Sequence, residues 1–186
     1  MQDKLLKLVQ QQFGLQIRET TLPVVESQPM LQSLPHRHLL ERGLDLVTPN
    51  SNESTRRHCI VGQVMMSIAL SLNASLFLGS PFEVDRSCGL VGECDYLISR
   101  SPLTFRIHPP VALIVEVKRE LERGLSHCIV AMAAAQQFNA SAAPVYGVVT
   151  TGLEWQFLKL EGAIVTVEQT VYGLEAIDQI PAMLRA

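Results

Sequence analysis

The chain has 186 residues, of which 47% are hydrophobic and 18% charged, and its formal net charge is −3. That apolar content supplies a full core and excludes disorder over most of the length, while no apolar run reaches the roughly 18 residues that a membrane-crossing helix needs. The negative balance excludes the broad basic surface of a constitutive nucleic-acid binder, so chemistry on nucleic acid would have to come from a local site.

Residues 1–50 read as an N-terminal appendage. A short helix is expected from Asp3 to Phe13, with leucine and valine at positions 5, 6, 8 and 9 and a stop at Gly14. An irregular stretch punctuated by Pro23, Pro29 and Pro35 follows, then a further helix over Leu39 to Leu46. The opening residues lack the apolar centre of a signal peptide, and Cys59, Cys88, Cys94 and Cys128 form no CxxC pair. Reduced thiols in a cytoplasmic protein are therefore expected.

A second region, residues 51–186, begins after the turn Pro49 to Asn52. Asn52 or Ser54 caps a helix running to about Leu72, with Ile60, Val64, Met65 and Ile68 on its buried face. Strands are expected over 75–84, 93–100 and 110–118, then a helix from Arg119 to Asn139. Three more strands follow over 145–150, 154–160 and 163–170, separated by turns at Thr151-Gly152 and Glu161-Gly162, before a closing helix from Leu174 to Leu184. The order α-β-β-β-α-β-β-β-α predicts an α/β fold, a mixed central sheet with helices on its faces.

The third strand carries the chemistry. Val111 to Val115 is a continuous apolar run, the mark of a central strand covered on both faces, and Glu116-Val117-Lys118 follows at once. Strand alternation puts Glu116 and Lys118 on one side. Two charges there are costly to desolvate unless a metal ion, a carboxylate partner or an opening to solvent compensates them. The plainer alternative is a surface ion pair where the strand emerges into water. Asp95, in the second strand after the Gly92 turn, can bring a second carboxylate to Glu116 if the two strands are neighbours. Oxygen ligands of this kind suit Mg²⁺ or Mn²⁺. Such a cation lowers the pKa of bound water and neutralises developing charge, while a lysine positions the water.

This arrangement resembles the PD-(D/E)xK nuclease superfamily, the restriction-endonuclease-like fold, over about residues 53–160. The likeness consists of a helix, a hairpin carrying Gly92-x-x-Asp95-Tyr96, a strand ending Glu116-Val117-Lys118, a helix and a strand. The stretch Val145 to Phe157 is similar to the strand pair after the motif helix in the nuclease domains of type I restriction subunits. The resemblance implies metal ligation by Asp95, Glu116 and the Val117 carbonyl, with Lys118 catalytic. Cys94 stands where the motif has its proline. Two further candidates come with the resemblance. Glu53 matches an acid that related nucleases place near the metal, although an acid in a first turn also complements the helix dipole. Gln136, in phase with the buried helix face, resembles the glutamine of RecB-like nucleases; Gln137 competes with it, and Ala140 stands where a tyrosine is expected.

The implied function is Mg²⁺-dependent hydrolysis of DNA phosphodiester bonds, with weak DNA binding by this chain alone. Two rivals are a non-catalytic interaction module that retains the fold, and a homodimer whose DNA groove forms between subunits. Arg56, Arg57, Arg119 and Arg123 could contact phosphate but read more simply as solvating helix faces. His127-Cys128 has no second pair at metal-ligand spacing, which argues against zinc.

Overall fold

The computed structural model describes residues 2–22, 37–86, 90–101, 104–141, 143–174, 177 and 180. Helix α1 spans Gln2–Phe13 and turns at Gly14, whose φ of 62° favours a residue without Cβ. Strand β1 (Gln16–Glu19) follows, then α2 (Arg37–Asp45). The long first helix of the core is built in three parts. A short α3 (Glu53–Arg56) runs into a π-helical turn (Arg57–Val61), which runs into α4 (Gly62–Leu72). Asn52 caps the start, its side chain accepting from the Thr55 N–H at 2.8 Å, and Asn73 ends α4 in the left-handed conformation. Strands β2 (Ser75–Asp85), β3 (Leu90–Ser99) and β4 (Val111–Val117) lead into α5 (Glu122–Asn139). Strands β5 (Val145–Thr150), β6 (Trp155–Glu161) and β7 (Ile164–Val167) complete the described elements.

The seven strands form one mixed sheet in the order β1-β7-β6-β5-β4-β3-β2. The pairs β1·β7 and β4·β5 are parallel, and the others antiparallel. Strand β4 lies inside the sheet between β5 and β3, with all seven residues buried, as its unbroken apolar run predicts. Ile114 packs into the core layer under α5 and α1, while Leu113, Val115 and Val117 pack into the layer under α4 and α2. Burying one such side chain contributes about 1.5–3 kcal/mol, so the two layers fix the sheet between them. Among the described residues no helix is long and apolar enough to cross a membrane.

The stretch after Gly14 departs from expectation. Instead of starting an irregular segment, Gln16–Glu19 adds a parallel strand to the edge of β7, in register from Gln16↔Ile164 to Glu19↔Val167. Three of its four residues are exposed, so no apolar alternation announces it, and the β7 ladder supplies its order. Helix α5 also begins at Glu122 rather than Arg119. The stretch with Pro23, Pro29 and Pro35, Cys88, and most of the helix expected over Leu174 to Leu184 lie outside the described residues.

Candidate active site

Strand β3 changes face at Asp95. Cys94 packs under α5, yet Tyr96, two residues on, packs under α4. Regular alternation would put both on one side. Opposite this point, between the pairs Leu78↔Tyr96 and Ser80↔Cys94, Gly79 takes a φ of 50°, a backbone conformation that L side chains rarely adopt. The β3·β4 ladder ends at Tyr96↔Val115. Beyond it the Asp95 carboxylate substitutes for a backbone acceptor, its Oδ2 taking the Val117 N–H at 2.7 Å. The sheet thus opens at this end, and a side-chain carboxylate fills the gap.

Two cations meet this carboxylate. Lys118 Nζ lies 3.4 Å from Asp95 Oδ2 and 3.0 Å from Glu116 Oε2. From the other helical layer the Arg57 guanidinium donates to Asp95 Oδ1 and lies 3.9 Å from Glu53 Oε1. Arg57 is aimed by the π-helical turn that it opens. The buried Tyr96 hydroxyl donates to the Arg57 carbonyl at 2.7 Å, fixing that turn against β3. Asp95 and Glu116 are 6% and 4% exposed, so these are desolvated charges held by partners rather than a pair in open water. The surface-ion-pair reading of Glu116 and Lys118 does not fit that burial.

Electrostatics follow from the burial. Burial pushes the Glu116 carboxyl up to about 7, Lys118 opposes the rise and Asp95 adds to it. For Lys118, burial favours the neutral amine, but Glu116 and Asp95 outweigh it and hold the ammonium above its ordinary value. Burial, with Glu116 and Asp95 nearby, raises the Cys94 thiol to about 12 and favours its neutral form.

The group lies at the base of a cleft of about 460 Å³ between α5 and the β2–β3 hairpin. Phe82, Leu90, Val130 and Ala134 give it apolar walls, and Glu93, Asp95, Glu116 and Lys118 give it charge. His127 reaches the cleft from α5, a position that the sequence singled out only to set aside for zinc.

The candidates divide accordingly. Asp95, Glu116, Val117 and Lys118 are brought together, and Glu53 stands at the margin through Arg57. Gln136 is not brought to this group. With Gln137 it lines a separate groove beside Phe13, Leu15 and Gly162. The cause is helical geometry: Ala134 faces the cleft, and two further residues turn the chain by about 200°. Arg57, read from sequence as a solvated helix cation, is instead a direct partner of Asp95. The signal for it would have been a π turn, which side-chain periodicity does not announce.

Among the described residues no three His, Cys, Asp or Glu side chains are gathered closely enough to hold a metal ion. The donors that do meet nevertheless fit a hard divalent cation in kind. They are two buried carboxylates, oxygen donors of the kind such an ion takes. In comparisons with known proteins, the sequence matches no family model and no curated protein.

Proposed function

We propose that this protein is a Mg²⁺- or Mn²⁺-dependent phosphodiesterase acting on DNA, built on a restriction-endonuclease-like fold. The observation that carries the reading is the meeting of Asp95, Glu116 and Lys118 from two neighbouring strands at the base of one cleft. Buried carboxylates beside an ammonium, reached through a cleft, are a poor arrangement for stability alone and a useful one for hydrolysis. Asp95, Glu116 and the Val117 carbonyl would hold the ion, with Glu53 at the margin. When bound, the ion supplies charge to stabilise the transition state and makes water more acidic.

The remaining work falls to the chain's own groups. Lys118, tethered to both carboxylates, holds an ammonium where it can orient the attacking water and meet negative charge growing on the phosphate oxygens. The water oxygen forms the new bond to phosphorus in line with the departing 3′-oxygen, leaving a 5′-phosphate. The apolar walls limit the water that reaches the group.

A second reading, a non-catalytic interaction module, is favoured by one observation. Glu93, Asp95 and Glu116 face a single lysine in the cleft, on a chain of net charge −3. One assay separates the two. Purified protein should nick or degrade DNA with Mg²⁺ or Mn²⁺. Lys118→Ala and Asp95→Ala should each lower the rate by at least about a hundredfold, the scale on which removal of one transition-state donor acts. Equal rates in wild type and Lys118→Ala would point to a contaminant and to the non-catalytic reading.

A further inference from the structure

Arg57 occupies Asp95 Oδ1, one of the two oxygens by which that carboxylate would hold a divalent cation. Its guanidinium contacts Asp95 Oδ1 and lies 3.9 Å from Glu53, so it stands between two of the carboxylates that the reading above assigns to the metal. The placement is built into the backbone. The π-helical turn starts at Arg57, the Tyr96 hydroxyl holds its carbonyl at 2.7 Å, and a Cβ on Gly62 would come within 3.2 Å of that hydroxyl. The Arg57 Nε is buried without a hydrogen-bond partner among the described residues. A guanidinium committed to a purely structural role would be expected to satisfy that donor.

Charge balance shows what a divalent ion would require. Two buried carboxylates, Asp95 and Glu116, face two cations, Arg57 and Lys118, with Glu53 beside Arg57 and Glu93 on the cleft wall. A doubly charged ion at Asp95 would be set against two resident cations at close range in a site of low dielectric, a repulsion that withdrawal of one of them relieves. Lys118 is bonded to both carboxylates. Arg57 is bonded to Asp95 alone, its distance to Glu53 being too long for a hydrogen bond. Arg57 is therefore the cation that leaves.

We propose that Arg57 is an internal counter-cation that exchanges with a divalent cation at Asp95, so that the site takes up its ion only as the guanidinium withdraws. This deepens the metal-site reading given above and rests on it. In the ion-free protein the guanidinium keeps the opened end of the sheet together by neutralising Asp95. In the loaded protein the ion takes over that task. Affinity for the ion is then set by competition with a tethered cation, not by the carboxylates alone.

The test is Mn²⁺ binding to the full chain at fixed pH and ionic strength, followed by electron paramagnetic resonance of the free ion. Wild type, Arg57→Gln, Arg57→Lys and Asp95→Asn are compared. Arg57→Gln should bind Mn²⁺ at least about tenfold more tightly than wild type, because a charge-assisted hydrogen bond no longer has to be broken. Arg57→Lys keeps the charge and should stay within about threefold of wild type, while Asp95→Asn should lose the site. Thermal melts give a second readout. Arg57→Gln should melt below wild type in chelator and gain more from Mn²⁺ than wild type gains. Should Arg57→Gln fail to fold, Tyr96→Phe releases the turn without removing charge and should tighten Mn²⁺ binding in the same direction. Unchanged or weaker binding in Arg57→Gln, or in Tyr96→Phe if that stands in for it, with binding still lost in Asp95→Asn, would overturn the exchange and leave the metal site standing. Mn²⁺ binding indifferent to Asp95→Asn, or absent from every variant, would overturn the metal site, and the exchange with it.

Discussion

Among the described residues, Glu116 is the buried carboxyl that folding shifts furthest toward its protonated form. Asp95, Lys118 and Arg57 bear on it directly, and the Cys94 and Cys128 thiols are held neutral beside it by burial. Its folded-state pKa of about 7 lies above the ordinary value of 4.5, so the folded chain binds the proton more tightly than the unfolded chain does. The favourable contribution is complete below about 4.5 and is lost as pH rises through about 7. In chelator, wild type should therefore lose stability between about pH 5 and pH 8, by on the order of 3 kcal/mol at 1.36 kcal/mol per pKa unit. Glu116→Gln should flatten that part of the profile. Denaturant melts at several pH values check both, and parallel profiles would mean that Glu116 titrates alike folded and unfolded. The residues in this site differ in how legible they were. Two charges directly after an unbroken apolar run make Glu116 and Lys118 conspicuous, and Asp95 stands out as an acid in the adjacent strand, although Gly92, expected as a turn, lies inside β3 paired with Phe82. Arg57 is hidden because its direction depends on a π turn and on a hydroxyl 39 positions away in sequence. Gln136 misleads because a helix face in phase with the core can still border a different groove.

The same contrast holds for whole elements. Strand β4 and the two long core helices follow from apolar runs and periodicity, since burial on both faces or on one stripe leaves a pattern. Strand β1 leaves none, because a four-residue edge strand takes its order from its neighbour. The packing of α2 is equally silent in sequence, yet it has a sharp structural test. A Cβ built on Gly43 would lie 2.0 Å from the Cys59 carbonyl oxygen, so glycine is what lets α2 rest directly on the π-helical turn. The obstacle is backbone and cannot rotate away. Gly43→Ala should cost about 1–3 kcal/mol, the range of overpacked cores, and should loosen the turn that aims Arg57. Gly92→Ala is the control, since a Cβ there meets nothing within 4 Å. Equal unfolding midpoints for the two variants would show that α2 is not seated on the turn in solution.

At the scale of the whole molecule, net charge and the tie between the N-terminal segment and the far edge of the sheet matter most. A net charge of −3 allows few phosphate contacts, so the duplex binding proposed above should weaken only shallowly with salt, as a labelled-duplex titration would read out. The segment after β1 is joined to the stretch after β7 by a buried carboxylate. Glu168, 1% exposed, follows β7; its Oε2 accepts the Leu22 N–H at 2.6 Å and its Oε1 the Thr170 N–H at 2.9 Å. Its own N–H donates to the Phe157 carbonyl at 2.9 Å, anchoring it to β6. The Leu22 bond spans 146 positions and continues the β1·β7 ladder, whose Thr20 N–H reaches the Val167 carbonyl at 3.1 Å. The N-terminal segment is thus held by four ladder pairs and by a carboxylate that satisfies the next buried donor. Glu168→Ala would leave two N–H groups without their acceptor, and a lost hydrogen bond to a charged group costs about 1.5–3 kcal/mol. The unfolding midpoint should fall accordingly, by roughly 2–4 °C per kcal/mol for a chain of this length. Amide exchange localises the effect: Ile17 to Leu22 should exchange faster, while β4 and β5 keep their protection relative to the new global stability. Glu168→Gln retains one acceptor oxygen but turns an amide donor toward the other N–H, so it should fall between wild type and Glu168→Ala. Unchanged exchange at Ile17 to Leu22 in Glu168→Ala would mean that the β7 ladder holds the segment by itself.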